Sequence, residues 1–399
     1  MKIIFVGGLF NENQLKAVYE NSKTMPNIAA NVHQWNIING LSEDVDIINP
    51  LFMGNYPSEY KKFFVGREEW SHKDGSKNIS PATLNIFGLK QILRLFNLTH
   101  EIRKKIKESD ENTIVMVYSL NTSFLISLRL AQLGCKKTST CLIVPDLPYF
   151  YINNAGKSKF YRVLKTLDWK LMLHFCKNID SFILLTEPMK NMINVGDRPY
   201  IVSEGICEAD TKLYDNQITR NSITYTGTLD KEFGVLTLIR NFIAVAKEDW
   251  VLNIAGGGNA KSEIEVIASN DNRICYRGIL TNEETKALQR SSRILINPRS
   301  SEEEFTKYSF PSKTMEYLKA GRPILMHKLA GIPQEYNEYL NYFENTTDHA
   351  FQQGLVDLMS KSDQELDEIG HRGKLFVEKE KNSIVQGKKI IDFLKTLAK

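Results

Sequence analysis

Short apolar segments rich in β-branched residues alternate with amphipathic segments along nearly the whole chain. The apolar segments occupy residues 2–6, 114–118, 140–144, 182–185, 223–226, 250–255, 274–277, 294–297 and 323–326. Helical spacing of apolar residues is found between them, at residues 121–133, 233–246, 283–291 and 312–320. This alternation predicts an α/β fold with βαβ units, because parallel strands need long crossover connections that are usually helices.

The chain of 399 residues is long enough for two domains. A polar run near residues 198–221 interrupts the alternation and places the break between them. We therefore predict two Rossmann-like lobes with parallel sheets, at residues 1–203 and 204–375, and a C-terminal helix at 376–399 that packs back on the first lobe. Ligands of such sheets bind beyond the carboxyl ends of the strands, so the expected site is a cleft between the lobes.

Several classes of protein are disfavoured by composition. No apolar run reaches the ~18–20 residues of a membrane-spanning helix, and the N-terminus reads as a first strand instead of a signal peptide. The five Cys are scattered without a C-x-x-C pair, which favours a reducing, cytoplasmic location. The sequence pI of about 8.5 is below that typical of nucleic-acid domains, so no nucleic-acid partner is expected.

The most informative local segment runs from Ser309 to Pro323. Pro311 suits the first turn of a helix, and the free N–H groups of a helix start favour phosphate. Lys313 adds a positive charge there, and Glu316 follows at a spacing that could present its carboxylate to a ribose diol. The alternative is a solvated helix start with an ordinary Lys–Glu pair. Arg299 follows the strand at 294–297 and is a second phosphate candidate, although alone it would be read as a surface residue.

Glycines follow three of the predicted strands and allow close approach of a ligand to the backbone. They are Gly227, which precedes Thr228, the central Gly257 of a three-glycine run, and the pair Gly7 and Gly8 after the first strand. None of them fits the G-x-G-x-x-G pattern of dinucleotide-binding folds, so a nicotinamide-dependent enzyme is disfavoured. Gly7 and Gly8 could equally form a plain turn.

Two acidic motifs stand near predicted strands. Asp146 lies between two prolines just after the strand at 140–144, where a carboxylate could orient a hydroxyl or act as a base, or simply form a turn. Asp44 and Asp46 form a D-x-D motif of the kind that holds a divalent metal in some nucleotide-sugar enzymes, but a solvated strand entry is the favoured interpretation. The His residues show no metal-binding spacing, and no metal is expected.

The second half of the sequence resembles family-4 glycosyltransferases of the GT-B fold, of the bacterial polysaccharide type. The resemblance spans roughly residues 200–345 and rests on several segments that occur in the family's order and spacing. These segments are Tyr225-Thr226-Gly227-Thr228-Leu229 with Phe233-Gly234-Val235, Leu252 to Gly258, Ile274 to Gly278, and Phe310 to Pro323. The segments 185–189 and 203–206 are similar to the family's inter-lobe region.

The resemblance implies a retaining transfer of a sugar from a nucleotide diphosphate donor to a hydroxyl, without a metal or another cofactor. It places the ribose carboxylate at Glu316 and the base-reading backbone at Ile279. The family's second Glu is replaced by Tyr308, and its Arg–Lys pair by Thr228 and Phe233, so Arg299 and Lys313 are our candidates for neutralising the diphosphate. The predicted donor site consists of Gly7, Gly8, Gly227, Thr228, Gly257, Ile279, Arg299, Phe310, Lys313, Thr314 and Glu316, with Asp146 and Glu316 as catalytic residues.

These expectations combine into a cytoplasmic glycosyltransferase that builds a capsule, exopolysaccharide or glycolipid on a lipid-linked or glycan acceptor. Two alternatives remain open at the sequence level. One is a nucleotide-sugar epimerase, which would turn over the donor alone. The other is a catalytically inactive GT-B protein that acts as a binding or partner subunit. The replacement of the family's Glu and Arg–Lys pair favours this alternative.

Residues 156–177 predict an amphipathic helix with an apolar and a basic face. Such a helix can lie on an anionic membrane surface, which suits a lipid-linked acceptor and a peripheral position on the inner face of the cytoplasmic membrane. A second basic stretch, residues 90–107, lies in the same lobe. The alternative is that the helix buries its apolar face in the lobe, as most amphipathic helices of globular proteins do.

Overall fold

The structure, a computed structural model, describes residues 1–23, 28–109, 113–135, 138–151, 158–207, 218–219 and 221–397. The chain divides into two compact units: Met1–Ile206 with Ser383–Lys399, and Cys207–Asn382. The sequence placed the two boundaries a few residues earlier, after residues 203 and 375. Residues 376–382 therefore belong to the second unit.

The first unit alternates strands and helices, as the sequence predicts. Its elements are β1 (Lys2–Val6), α1 (Glu12–Asn21), α2 (Ile28–Gly40), β2 (Asp44–Ile48), β3 (Phe64–Val65), β4 (Glu68–Trp70), β5 (Asn78–Ser80), β6 (Thr83–Leu84), α3 (Leu89–Glu108), β7 (Thr113–Tyr118), α4 (Thr122–Gln132), β8 (Ser139–Val144), α5 (Lys159–Cys176), β9 (Ser181–Leu184), α6 (Met189–Met192) and β10 (Tyr200–Val202). A short 3-10 helix, Pro148–Tyr151, precedes α5.

The sheet of the first unit has the strand order β10-β9-β8-β7-β1-β2-β5-β4. Its neighbouring strands are parallel except for β4, which runs antiparallel to β5. The side chains of β1 and β7 are buried almost throughout, which explains why these strands read as continuous apolar runs. The chain builds the sheet from β1 first toward β2 and then, from β7, in the other direction, so the strand order reverses beside β1.

The second unit repeats this architecture with a smaller sheet. Its elements are β11 (Ser222–Thr226), α7 (Val235–Val245), β12 (Val251–Ala255), α8 (Lys261–Asn270), β13 (Ile274–Tyr276), α9 (Asn282–Ser291), β14 (Ile294–Asn297), α10 (Ser312–Ala320), β15 (Ile324–Met326), β16 (Asn341–Tyr342), α11 (Asp348–Met359) and α12 (Asp363–Glu380). The sheet is parallel with the order β13-β12-β11-β14-β15-β16, so its strand order reverses between β11 and β14.

Side-chain caps define several helix starts. Thr281 accepts a hydrogen bond from the Glu284 N–H while the Glu284 carboxylate accepts from the Thr281 N–H, a capping box that begins α9. Ser362 and Glu365 form the same arrangement at the start of α12. These reciprocal bonds satisfy backbone donors that have no partner within the helix, which fixes where each helix begins.

The last helix of the chain, α13 (Ser383–Leu397), belongs to the first unit and packs against α2. The two helices cross at Gly40 and Gly387, where a Cβ atom on Gly387 would lie 1.9 Å from the Gly40 carbonyl oxygen. Ile390 and Leu394 enter the same core as Ile37. The glycine pair thus allows a backbone-to-backbone approach that any larger side chain would prevent.

The predicted α/β fold with parallel sheets is confirmed, but one strand carries a charge that the sequence placed in solvent. Asp44 is exposed, whereas Asp46 is buried within β2. Its carboxylate pairs with Lys105 at 2.8 Å and Lys2 at 3.0 Å, and accepts the Lys77 N–H at 2.9 Å. The expectation of a solvated strand entry is therefore wrong for Asp46, and the motif is part of a buried ion-pair cluster.

Among the residues that the structure describes, no helix is both long enough and apolar enough to cross a membrane.

Candidate functional site

The strand order of the second unit reverses between β11 and β14, and the carboxyl ends of these two strands carry predicted site residues. Gly227 follows β11 and donates its N–H to the Ala255 carbonyl at 2.9 Å. Arg299 follows β14 after Pro298. Crevices at such a reversal point are the usual ligand sites of open parallel sheets, so this edge is the candidate site of the unit.

Gly256 and Gly257 bring the end of β12 to the same edge. Gly256 has φ of +142°, and a Cβ atom there would lie 1.8 Å from the Gly227 carbonyl oxygen. A Cβ on Gly257 would lie 3.2 Å from the Ile279 Cδ1, so these two predicted residues are neighbours. Ile279 is 72% exposed. At this edge, the glycine backbone at Gly256 and Gly257 therefore has the exposed apolar side chain of Ile279 beside it.

The start of α10 presents polar groups that the protein itself leaves without partners. Pro311 is the N-cap residue, one position before the first helical turn in which the sequence placed it, and it provides no side-chain cap. The hydroxyls of Ser309 and Thr314 are buried and have no hydrogen-bond partner in the part of the chain that the structure describes. Unpartnered buried hydroxyls cost free energy, and a bound polar ligand would satisfy them.

Glu316 occupies the centre of a short polar network. Its Oε2 accepts from the Lys313 Nζ at 2.7 Å and from the Gln289 Nε2 at 3.3 Å. Gln289 also donates to the Thr226 Oγ1 at 2.8 Å, which ties α9, α10 and the end of β11 together. The Lys–Glu pair that the sequence offered as the alternative interpretation is therefore formed, and both of these contacts use Oε2.

Tyr317 fixes the position of α10 on the sheet. Its buried hydroxyl accepts the Thr226 N–H at 2.9 Å and donates to the Thr226 carbonyl at 3.1 Å. Burial raises the pKa of Tyr317, so the hydroxyl stays protonated and keeps its donor. Glu316, the next residue, is thereby held beside the end of β11.

Arg299 lies between two aromatic rings. Its guanidinium carbon is 5.2 Å from the ring centre of Phe233 and 4.4 Å from that of Phe305. Stacking on aromatic faces is a common arrangement of arginine and leaves its edge N–H groups in the plane of the guanidinium. The rings orient Arg299 at the end of β14. No motif in the sequence points to Phe305.

Two of the predicted donor-binding residues differ in their surroundings. Thr228 is exposed at the loop after β11, and its carbonyl accepts from the Tyr225 hydroxyl at 2.8 Å. Phe310 is 7% exposed and its ring packs on Tyr336 at a centroid distance of 5.4 Å. The Phe310 side chain therefore belongs to the core of the unit and supports the start of α10 from inside.

In the first unit, Asp146 follows β8 at the carboxyl edge of the sheet. Burial of the carboxyl group raises its pKa, although part of the side chain is exposed. Burial also raises the pKa of Tyr118, and the negative charge of Asp146 raises it further. The Tyr118 hydroxyl lies 2.9 Å from the His33 Nδ1, and burial lowers the pKa of His33 to about 4. No motif in the sequence points to His33 or Tyr118.

Gly7 and Gly8 follow β1 at this edge, but their N–H groups are already used. Gly7 donates to the Ile48 carbonyl at 3.2 Å, and Gly8 donates to the Gln34 Oε1 at 3.0 Å. A Cβ on Gly8 would lie 1.6 Å from the ring of Phe52. The close approach that these glycines permit is thus made by side chains of the same unit, and their predicted donor-binding role stays a prediction.

A cavity of about 440 Å³ also lies in the first unit. Its lining includes Trp70, Lys77 and Asn78, so it is at the edge where β5 begins. The candidate residues Gly7 and Asp146 follow the ends of their strands, which is the opposite edge of the sheet. Within the described residues, no cluster of His, Cys, Asp and Glu is arranged to hold a metal ion.

The chain is similar to known proteins in sequence over part of its length and in fold over all of it. Residues 220–361, most of the second unit, match the family model of glycosyl transferases group 1. A comparison with curated proteins gives no match. Among solved structures, the chain is similar to a sucrose-phosphate synthase from Thermosynechococcus elongatus, with 11% identity, a TM-score of 0.64, and coverage of 100% of this chain and 99% of that chain.

Two further solved structures are similar over almost their whole length. The E. coli trehalose-6-phosphate protein bound with UDP-2-fluoro glucose is 11% identical, with a TM-score of 0.64 and 99% coverage of both chains. The UDP-forming trehalose-phosphate synthase from Burkholderia xenovorans, in complex with glucose-6-phosphate, is 12% identical, with a TM-score of 0.59 and 99% coverage of both chains. The chain has the GT-B fold. Its second unit carries a glycosyltransferase group 1 domain.

Proposed function

We propose that this protein is a retaining glycosyltransferase of family 4 that moves a sugar from a nucleoside diphosphate donor to a hydroxyl. The observation that carries the proposal is the glycosyltransferase group 1 match over residues 220–361. The polar groups that surround the start of α10, within this matched region, support it. The proposed role is the synthesis of a bacterial cell-surface polysaccharide or glycolipid.

The second unit would bind the donor. Glu316 would accept hydrogen bonds from the ribose diol with Oε1, the oxygen that Lys313 and Gln289 do not contact. Lys313, Arg299 and the free N–H groups that begin α10 would neutralise the diphosphate, since two phosphates without a metal need cations or N–H donors. The base would lie on Gly257 and against Ile279. We propose a uridine nucleotide, because the E. coli neighbour is bound with a UDP sugar.

The first unit would hold the acceptor, with Asp146 on its hydroxyl. In the transfer, the acceptor oxygen bonds to the anomeric carbon of the sugar, and the bond from that carbon to the diphosphate oxygen breaks. The nucleoside diphosphate leaves with the bonding electron pair, and the Asp146 carboxylate takes the hydroxyl proton. The raised pKa of Asp146 makes it a stronger base than an ordinary carboxylate.

Donor binding is tested by a thermal-shift screen against UDP-, GDP-, CMP- and dTDP-sugars. A ligand at 100 times its dissociation constant adds about 2.7 kcal/mol to the free energy of unfolding. We expect UDP-sugars to raise the melting temperature, and the donor sugar among them to be consumed when acceptor is added. No stabilisation by any nucleotide sugar would contradict the proposal.

A second candidate is a catalytically inactive GT-B protein that binds a partner. The observations that favour it are Tyr308 in place of the family's Glu, and Thr228 and Phe233 in place of its Arg–Lys pair. Such a protein would bind donor without transferring or hydrolysing it. An epimerase would instead convert the donor sugar with no acceptor present, so product analysis with and without acceptor separates the three.

We further propose that the enzyme works at an anionic membrane surface on a lipid-linked acceptor. The support comes from α5, whose apolar residues divide into two groups. Trp169 and Met172 are buried in the unit, whereas Phe160 is 72% exposed and Leu167 56% exposed. Val163, Leu164 and Leu171 are exposed as well. The apolar stripe that would be buried in an ordinary globular helix is therefore open to solvent.

Basic residues stand beside this stripe. Arg162, Lys165 and Lys170 are exposed on α5. Residues 156–157, where the predicted stretch begins, lie outside the described residues. The stretch 90–107 contributes differently from what we expected, because Lys90, Arg94 and Lys105 are buried. Its exposed residues include the apolar side chains of Ile92 and Phe96.

Sedimentation with vesicles tests the membrane proposal. The protein should sediment with anionic vesicles at low salt, stay in solution with neutral vesicles, and be released as salt screens the charges. Leu167→Ser should weaken binding, whereas Val266→Ser, which changes a 61% exposed residue of α8 in the second unit, should not. Absence of sedimentation with anionic vesicles at low salt would contradict the membrane proposal and favour a water-soluble acceptor.

A further inference from the structure

Two cations of the first unit are buried without a counter-ion among the residues described for that unit. Lys90 is 6% exposed and Arg94 is 7% exposed. Both lie on α3, one helical turn apart, so their charges repel each other on the same face of the helix. No carboxylate among the described residues lies within 4 Å of either side chain.

The hydrogen bonds of these cations leave donors unused. The Lys90 Nζ donates to the Met53 carbonyl at 2.9 Å and the Asn85 Oδ1 at 3.3 Å. Arg94 has five N–H donors, but its one hydrogen bond to a described residue is from Nη2 to the Leu51 carbonyl at 3.5 Å, and its buried Nε has no partner among these residues. Burial lowers the pKa of Lys90, and it lowers the pKa of Arg94 to about 10.

Glu59 is the acidic residue whose charge reaches Lys90, but it does not form an ion pair with it. Its Oε2 accepts the Asn55 N–H at 2.8 Å. Burial of an unpaired charge is unfavourable, so a bound anion would stabilise these two cations on one face of the helix. Lys90 and Arg94 therefore resemble an anion site more than a structural ion pair.

The two cations lie near the edge of the first unit at which the acceptor is proposed to bind. The Arg94 guanidinium lies 4.6 Å from the ring centre of Phe52. Phe52 follows β2 and packs directly on Gly8, which follows β1. Phe52 is 37% exposed, so the ring against which the Arg94 guanidinium lies is itself at the surface of the unit. The cations thus lie at the carboxyl edge of the first unit's sheet, where an acceptor would bind.

We propose that Lys90 and Arg94 bind a phosphate group carried by the acceptor substrate. Guanidinium matches phosphate oxygens with paired N–H donors, and the ammonium of Lys90 adds the second charge that a phosphate monoester requires. The assignment to the acceptor rests on the proposed glycosyltransferase function. The phosphate could belong to a sugar phosphate or to a lipid phosphate, since both present the same group.

Isothermal titration calorimetry on the full chain tests the site. Inorganic phosphate, glucose 6-phosphate and monomeric dihexanoyl phosphatidic acid are titrated at constant ionic strength into a protein that carries Lys313→Gln and Arg299→Gln, so that phosphate binding by the donor region is weakened. We expect one phosphate site per chain. The tighter of the two organic probes identifies a sugar or a lipid as the source. Absence of binding by all three probes would overturn the proposal, whatever the variants below do.

Variants locate the site. Arg94→Gln and Lys90→Gln should each weaken phosphate binding at least tenfold, and Arg94→Lys should lose less than Arg94→Gln. Lys107→Gln, an exposed residue of the same helix, is the control and should bind as before. Phosphate affinity that is unchanged in a folded Arg94→Gln protein would contradict the inference even if transfer activity is found. Phosphate binding at Arg94 without any nucleotide-sugar binding would instead refute the glycosyltransferase proposal and leave the anion site standing.

Discussion

The Glu316→Gln substitution separates a ligand-binding role from a structural one. In the structure, Glu316 contacts Lys313 at 2.7 Å, and the two side chains are 41% and 28% exposed. A helix pair of this type contributes about 0.2–0.5 kcal/mol to stability. Loss of the ion pair alone should therefore leave the free energy of unfolding within about 1 kcal/mol of the wild-type value.

Donor affinity should change far more than stability. A hydrogen bond to a charged group contributes about 1.5–3 kcal/mol, which corresponds to a loss of roughly 10- to 150-fold in affinity. The assay is calorimetric titration of wild type and Glu316→Gln with UDP and with 2′-deoxy-UDP, which lacks one of the diol hydroxyls. Wild type should prefer UDP, and the variant should lose most of that preference.

A matched control is available in the same unit. Glu283 forms an i,i+3 pair with Lys286 at 3.8 Å, in a helix of similar length. Glu283→Gln removes the same charge and the same type of pair, and should leave both affinities unchanged. Retention of the full preference for UDP in a folded Glu316→Gln protein would refute the assignment of its carboxylate to the ribose.

Three further predictions concern other groups. Replacing Lys313 or Arg299 by Gln should weaken nucleoside diphosphate binding much more than nucleoside binding in calorimetry, and an equal loss of both would indicate a disturbed fold. Asp146→Asn should lower the transfer rate in a radiolabelled-sugar assay while nucleotide affinity stays nearly constant, and normal rates would return Asp146 to a turn-forming role. Asp46→Asn should destabilise the protein by about 3 kcal/mol in denaturant unfolding, because it leaves the buried Lys105 without its partner. Burial alone would raise the pKa of Asp46, but the hydrogen bond from Lys105 and those from neighbouring groups lower the pKa overall. The stabilisation from the ion pair is therefore present above pH ~5 and should be lost as the pH falls below ~4. A difference in unfolding free energy between variant and wild type that does not narrow in acid would contradict the ion-pair explanation.

The predictable parts of the fold are those in which one local signal determines an element. Helix α10 runs from Ser312 to Ala320 as predicted, because Pro311 precedes it and Gly321, with φ of +70°, ends it. The short strand β4, Glu68–Trp70, could not be predicted, since two of its three residues are charged and it forms by pairing with β5. Local patterns do not record pairings of this kind.

The candidate site shows the same division. Glu316 and Lys313 share a helix and were found by spacing, whereas Gln289 joins them from a position 27 residues away and Thr226 from beyond that. Lys90 and Arg94 read as surface cations because charge normally marks the exposed face of a helix. Their burial depends on the loop after β2, whose path the sequence does not indicate.

The return of α13 to the first unit has a consequence for synthesis on the ribosome. The second unit is inserted into the first at the level of the chain, between residues 206 and 383. At about 5–20 residues per second, making this insertion takes roughly 9–35 s, during which the surface of α2 that Gly387 and Ile390 later cover has no partner. The second unit can therefore complete its core before the first, although the first begins the chain, and a nascent chain stalled before residue 383 would present Ile37 and Ile38 to chaperones.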